Sequence, residues 1–180
     1  KNNFKIYFIL IFFFFISNNY LLSSEFTFNA SEVIVLDKGD KLKAINGIEA
    51  LTKDKIKITG DTFEYDKIKN ELKVFGNVIF VDDLNNIKIR TEEIIYFRND
   101  ENLFIKEKSF TNLYEKYFIE SENLNYYRNE GIINSKNKTK IKDTYNNNYS
   151  LDEFEYSKLT NVIKGKNVEF LDSDSNRYFL

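Results

Sequence analysis

The chain has 180 residues, enough for one domain with a sizeable core, and its 26 basic residues nearly balance 28 acidic ones for a net charge of −2. That balance lacks the basic surplus of a nucleic-acid binder, so no nucleic acid is expected as a partner. With no His and no Cys, imidazole catalysis, thiol nucleophiles, zinc sites built on those residues and disulfides are excluded, and neither enzyme activity nor a cofactor is expected.

Residues 1–24 read as an export signal peptide. Lys1 and Lys5 form a positive start, Ile6–Ile16 is an unbroken apolar run, and Leu22-Ser-Ser24 offers small residues for cleavage before Glu25. Ser17-Asn-Asn19 interrupts any longer span, although an uncleaved anchor extended through Tyr20-Leu-Leu22 is the alternative. Either way the remainder is predicted to lie outside the inner membrane.

From residue 26 onward the pattern is all-β and repetitive. Ile56/Ile58/Phe63/Tyr65/Leu72 is repeated as Ile87/Ile89/Ile94/Tyr96/Leu103 and as Tyr117/Ile119/Leu124/Tyr126/Ile133. Phe26/Phe28/Val33/Val35/Leu42 precedes them with valine in the tyrosine slot, and Tyr149/Leu151/Phe154/Tyr156/Ile163 follows in a shorter form. The slot residues 35, 65, 96, 126 and 156 are 30 or 31 apart. Within each unit apolar residues alternate at period 2, as a half-buried strand requires. Ile58 to Phe63 is an odd step, which in a straight strand would move the second pair to the opposite face. The strand must therefore bend, and the small residues Gly60, Thr91 and Ser121 mark the corner. Polar turns rich in Asn, Asp and Gly follow each slot, for example Arg98-Asn-Asp-Glu-Asn and Arg128-Asn-Glu-Gly. Return strands begin at Leu42, Leu72, Leu103, Ile133 and Ile163 and pass through Gly/Asn pairs at Asn46-Gly47 and Gly76-Asn77. Each unit is thus predicted to be one bent hairpin, and stacked hairpins complete a two-layer core over 26–180. Tyr178-Phe-Leu180 opens a sixth unit, which leads us to expect a longer chain or a partner that finishes the edge.

The inward stripe of this pattern is Val33, Val35, Phe63, Tyr65, Ile94, Tyr96, Leu124, Tyr126, Phe154 and Tyr156. It fits either a closed sandwich core or the lining of an apolar groove. A buried phenol needs a hydrogen-bond partner, whereas at a groove mouth its hydroxyl reaches water. The edges at Phe26–Ala30 and Tyr178–Leu180 are candidate pairing strands.

The units "Phe26-Thr-Phe-Asn-Ala-Ser-Glu-Val", "Asp61-Thr-Phe-Glu-Tyr-Asp", "Leu72-Lys-Val-Phe-Gly-Asn-Val" and "Asn148-Tyr-Ser-Leu-Asp-Glu-Phe-Glu-Tyr" resemble the OstA-type domain of lipopolysaccharide (LPS) transport proteins. The resemblance covers about residues 26–180 and is greatest to the N-terminal periplasmic part of outer-membrane LPS-assembly proteins. It implies a twisted OstA-like β-jellyroll, open along one side, whose interior takes LPS acyl chains and makes the stripe above a lipid-binding site. It further implies a periplasmic location associated with the outer membrane. The implied partners are LPS, related OstA-like proteins joined edge to edge, and an outer-membrane β-barrel where the chain continues. The competing expectation is a structural β-repeat scaffold or adhesin with a closed core.

Other motifs point to solvated surface. Asp172-Ser-Asp-Ser-Asn176 starts like a calcium loop, but Arg177 stands where the loop needs Gly, and no metal is expected. Glu92-Glu93 and Asp152-Glu153 are adjacent strand residues, which point to opposite faces. Lys55, Lys57, Lys73 and Lys88 are placed on outward positions.

Overall fold

Residues 26–180 are described by a computed structural model, and the predicted export signal over 1–24 lies outside them. Their regular structure is a run of antiparallel strands with one short 3₁₀ turn at Asp37–Gly39. Among the described residues no helix is long and apolar enough to cross a membrane.

Strand β1 (Phe26–Leu36) pairs along its length with β2 (Lys41–Thr52). Strands β3 (Ile56–Gly60) and β4 (Thr62–Asp66) are the two halves of one bent strand, and both pair with β5 (Glu71–Asp82). Then β6 (Ile87–Phe97) pairs with β7 (Asn102–Ile105) and β8 (Ser109–Leu113). In the next hairpin β9 (Tyr117–Ser121) and β10 (Leu124–Tyr127) pair with β12 (Thr139–Asp143) and β11 (Ile132–Ser135) respectively. In the one after, β13 (Asn148–Leu151) and β14 (Glu153–Ser157) pair with β16 (Glu169–Leu171) and β15 (Val162–Lys166). Finally β17 (Arg177–Phe179) pairs with β16. Successive hairpins join through β2 to β3 and β4, β5 to β6, β7 to β10, β8 to β9, β11 to β14, and β12 to β13.

These pairings sort the strand halves into two layers. The tyrosine layer holds β4, β7, β10, β11, β14, β15, the C-terminal halves of β1 and β6, and the N-terminal halves of β2 and β5. The facing layer holds the other halves with β3, β8, β9, β12, β13, β16 and β17. The layers meet through their apolar faces: the Phe28 ring stacks on Phe63 with centroids 4.5 Å apart, and Phe80 lies 6.1 Å from both Tyr96 and Tyr126. Burial alternates along each strand, Ile56 and Ile58 inward in β3 and Phe63 and Tyr65 inward in β4, so the odd step predicted a corner that is there.

The corners form a seam along one side of the molecule, and small or left-handed residues make it. A Cβ on Gly60 would come within 2.5 Å of Val74 Cγ1, so the close approach of β3 to β5 needs glycine. In the return strand Gly76 and Asn77 have φ of +72° and 48°, and the β5–β6 register shifts there between Phe75 and Val78. Where the ladder is interrupted, hydroxyls take up freed backbone groups. Thr91 Oγ1 donates to Lys108 O, Ser109 Oγ to Ser121 O and Ser135 Oγ to Glu122 O, while Ser121 and Thr139 hydroxyls pair at 3.0 Å. Backbone crosses this seam in every hairpin, so the side that can part is the opposite one, where the turns lie.

Candidate functional site

Of the ten stripe residues, eight come together in the interior: Phe63, Tyr65, Ile94, Tyr96, Leu124, Tyr126, Phe154 and Tyr156 are all buried. They fill the space between the layers together with Phe80, Leu72, Val74 and Ile89 of the same core. Val33 and Val35 do not join them, being 47% and 62% exposed. Both still lie on the inward face, opposite Ala44 and Leu42 in the β1–β2 register, but that face is uncovered there. At that end the facing layer supplies only Phe26 and Phe28, whose rings turn onto Phe63 and Tyr65 and leave the far half of β1 uncovered. Ile34 and Leu36 on its other face are exposed too.

Each of the four buried tyrosine hydroxyls has a partner within the protein. Tyr65 donates to Asn70 Oδ1 at 2.5 Å, Tyr96 to Glu101 Oε2 at 2.7 Å and Tyr156 to Asn161 Oδ1 at 3.4 Å. In each case the partner is the fifth residue onward, a left-handed turn residue with φ of 55°, 55° and 53° respectively. The fourth equivalent is Gly131, which has no side chain to offer. Tyr126 therefore reaches across to the facing layer, donating to Asp82 Oδ2 at 2.8 Å and accepting from Asn85 Nδ2 at 2.9 Å.

Asp82 and Asn85 belong to an ionic cluster that joins the turns of the two layers. The cations come two residues after each tyrosine, where the sequence reads Lys67, Arg98, Arg128 and Lys158. Their backbone N–H groups are fixed in a ladder to the preceding turn: Arg98 N, Arg128 N and Lys158 N donate to the left-handed residues Asn70, Glu101 and Gly131, and Lys67 N donates to Asp40 O. Asp54, in the β2–β3 turn, accepts from Arg98 Nη2 at 3.0 Å and from Arg128 Nη1 at 2.5 Å. Arg128 Nε donates to Asp82 Oδ2 at 2.7 Å, Arg128 Nη1 to Glu101 Oε2 at 3.0 Å, and Lys158 Nζ to Asn85 Oδ1 at 2.5 Å. Arg98 also pairs with Glu101. The apolar pattern places Arg98, Glu101 and Arg128 in polar turns and assigns them no partner across the layers. The signal that finds them is the cation at the second position after each tyrosine, repeated at the period of the hairpins.

Electrostatics in the cluster follow from burial set against partners. Burial pushes the Asp82 carboxyl up, but hydrogen bonds from Arg128, Asn85 and Tyr126 outweigh it and hold the group below its ordinary 3.8. Asp54 is likewise raised by burial and lowered more by Thr52, its own backbone, Arg98 and Arg128. Burial raises the Tyr96 and Tyr126 phenols well above 10. Both carboxylates are depressed in the fold, so their contribution is complete above 3.8 and lost as pH falls through the folded values. Both phenols are raised, so theirs is complete below 10 and lost as pH climbs toward the folded values. The urea midpoint is expected to be level from about pH 5 to about pH 9 and to fall on either side, with Asp54→Asn making the acid limb shallower.

None of this arrangement forms a catalytic constellation with a nucleophile and base. Among the described residues no group of three or more acidic side chains is placed to hold a metal. The loop at Asp172 is a turn device: its carboxylate accepts from the backbone of Asp174 and Asn176.

No protein-family profile matches the chain. No curated protein sequence does either. Among solved structures the chain is similar to LptH of Pseudomonas aeruginosa, the LptA-homologous periplasmic component of the conserved lipopolysaccharide transport device. The identity is 10% and the TM-score 0.32, over 86% of this chain and 93% of that chain, a weak and partial structural match.

Proposed function

We propose that the protein is a non-enzymatic periplasmic module of LPS transport and assembly at the outer membrane. It shields acyl chains between its two layers and docks edge to edge with related OstA-like domains. Its fold on this reading is a twisted OstA-like β-jellyroll. In that family it corresponds to the N-terminal periplasmic domain of the assembly protein LptD or to a stand-alone LptA-like or LptC-like bridge. The observation that carries the reading is the apolar interior, which continues through five stacked bent hairpins from Phe26 to Tyr156. Burying each methylene is worth about 0.8 kcal/mol, so a dry interior made of equivalent rungs holds an acyl chain without chemistry and lets it pass between sites of similar affinity.

The edges support the docking half of the proposal. Among the described residues β1 pairs only with β2, β15 only with β14 and β17 only with β16, so both layers end in unpaired strands. Val33–Leu36 offers an edge exposed on both faces and free of charge, the composition that a second β edge accepts.

A second reading, a scaffold or adhesin with a closed core, is favoured by one specific observation: the eight interior stripe residues fill the space against one another and their hydroxyls are partnered. Photo-crosslinking side chains placed at Phe63, Tyr96 and Tyr126 separate the two. The expected result is LPS adducts in cells at one or more of these positions. Folded protein without an adduct at any of them would leave the scaffold.

A further inference from the structure

We propose that the ionic cluster at the turn side is a clasp that keeps the two layers shut over the middle hairpins, and that an acyl chain enters the interior when the clasp opens. The inference rests on the lipid-shielding reading and adds its control point.

The members lie on opposite lips. Asp54 and Asn85 come from turns of the facing layer and Asp82 from the end of β5 in it, while Arg98, Glu101, Arg128 and Lys158 come from turns of the tyrosine layer. Separating the lips breaks the bonds from Arg98 to Asp54, from Arg128 to Asp54 and Asp82, and from Lys158 to Asn85. The other long side cannot part, since backbone and the Ser/Thr bonds at the seam cross it.

Charge distinguishes a clasp from an anion site. Asp54, Asp82 and Glu101 stand against Arg98, Arg128 and Lys158, three of each sign, so the cluster has no surplus positive charge to offer a phosphate. Its fixed partners are inside the protein. The repeat supplies a further sign of purpose at this one place. Where the other hairpins satisfy the tyrosine with their own turn residue, Gly131 releases Tyr126 to the opposite lip, adding a phenol-to-carboxylate bond to the ion pairs.

Closure by ions differs from closure by apolar packing in being reversible at modest cost. A buried ion pair offsets its own desolvation only in part, so water that enters as the lips part recovers much of what the broken pair loses. The ends of the sandwich are sealed otherwise. Phe26 and Phe28 close one, whereas beyond the Tyr114–Tyr156 ring contact Ile163 and Val168 are only partly buried. An opened clasp therefore connects the interior to the less sealed end.

The test uses the absence of native cysteine. Lys53→Cys and Asn129→Cys place spin labels on exposed positions beside Asp54 and Arg128, one on each lip. Inter-label distances and binding of 11-(dansylamino)undecanoic acid are then measured with the clasp intact, in Asp54→Asn, and in the double variant Asp82→Asn/Arg128→Gln. The double variant removes both charges together and leaves neither buried and unpaired. The expected result is longer, broader distances in both variants and about tenfold tighter probe binding, because the competent open state is more populated. Unchanged distances in both folded variants overturn the clasp, as does probe binding that rises while distances stay fixed. Distances that widen with no probe bound to any form uphold the clasp and overturn the lipid reading instead.

Discussion

Replacing Arg128 with methionine is expected to destabilise the fold by about 3–5 kcal/mol, the cost of leaving a buried charge without its partner. Asp82 is wholly buried, and Arg128 Nε is bonded to it at 2.7 Å. Asp54 loses one of its two guanidinium partners in the same step. Methionine restores the volume of the arginine stem, so the loss measures charge and hydrogen bonding more than packing. Chemical denaturation should show the drop as a lower urea midpoint at unchanged slope. Asp82→Asn in the same chain should return a large part of it, because the two sites share one network and their effects do not add. Lys41→Met is the control: Lys41 pairs with Asp37 at 2.8 Å, but both side chains are more than half exposed, and such a pair contributes about 1 kcal/mol or less. A drop in Arg128→Met no larger than in the control would mean that the Asp82 carboxyl is neutral or hydrated in solution.

The hairpin architecture was legible because each of its signals is local. Period-2 alternation places Ile56 and Ile58 on one face, the odd step to Phe63 demands a corner, and Gly60 with Gly76-Asn77 supplies the residues a corner needs. The phenol partners were legible only in part, since Asn70, Glu101 and Asn161 stand at the fifth position after Tyr65, Tyr96 and Tyr156, but that position after Tyr126 is Gly131 and the apolar pattern points to none of them. Two features were not. Val33 and Val35 continue the apolar pattern faithfully, yet their exposure depends on what stands opposite, and strand periodicity carries no information on where the facing layer ends. The clasp joins residues 44 and 74 positions apart in the chain, so its pairs follow from the stacking of hairpins and from no single repeat. Lys55 is exposed, as the outward placement expects, and stands at a left-handed position in the β2–β3 turn.

Phe80→Ala is the second large effect, an expected loss of about 3–5 kcal/mol from deleting a buried ring in a core that collapses only partly around the void. Phe80 is fully buried on β5 and reaches from the facing layer to the rings of Tyr96 and Tyr126 in the other, so its removal empties the middle of the interior. Phe110, half exposed on the outer face of the same layer, should cost far less when truncated. The void also turns a stability measurement into a test of function. A ligand that binds only the native state raises stability by about 2.7 kcal/mol when present at a hundred times its dissociation constant. With a dodecyl-chain amphiphile below its micellar concentration, a closed scaffold should gain stability in Phe80→Ala alone, where there is a cavity for the chain. An interior that parts to admit acyl chains should gain in both proteins, with the larger gain in the variant, because the chain there replaces the missing ring without displacing a side chain. Stabilisation confined to the variant would therefore count against acyl-chain shielding even though the variant binds.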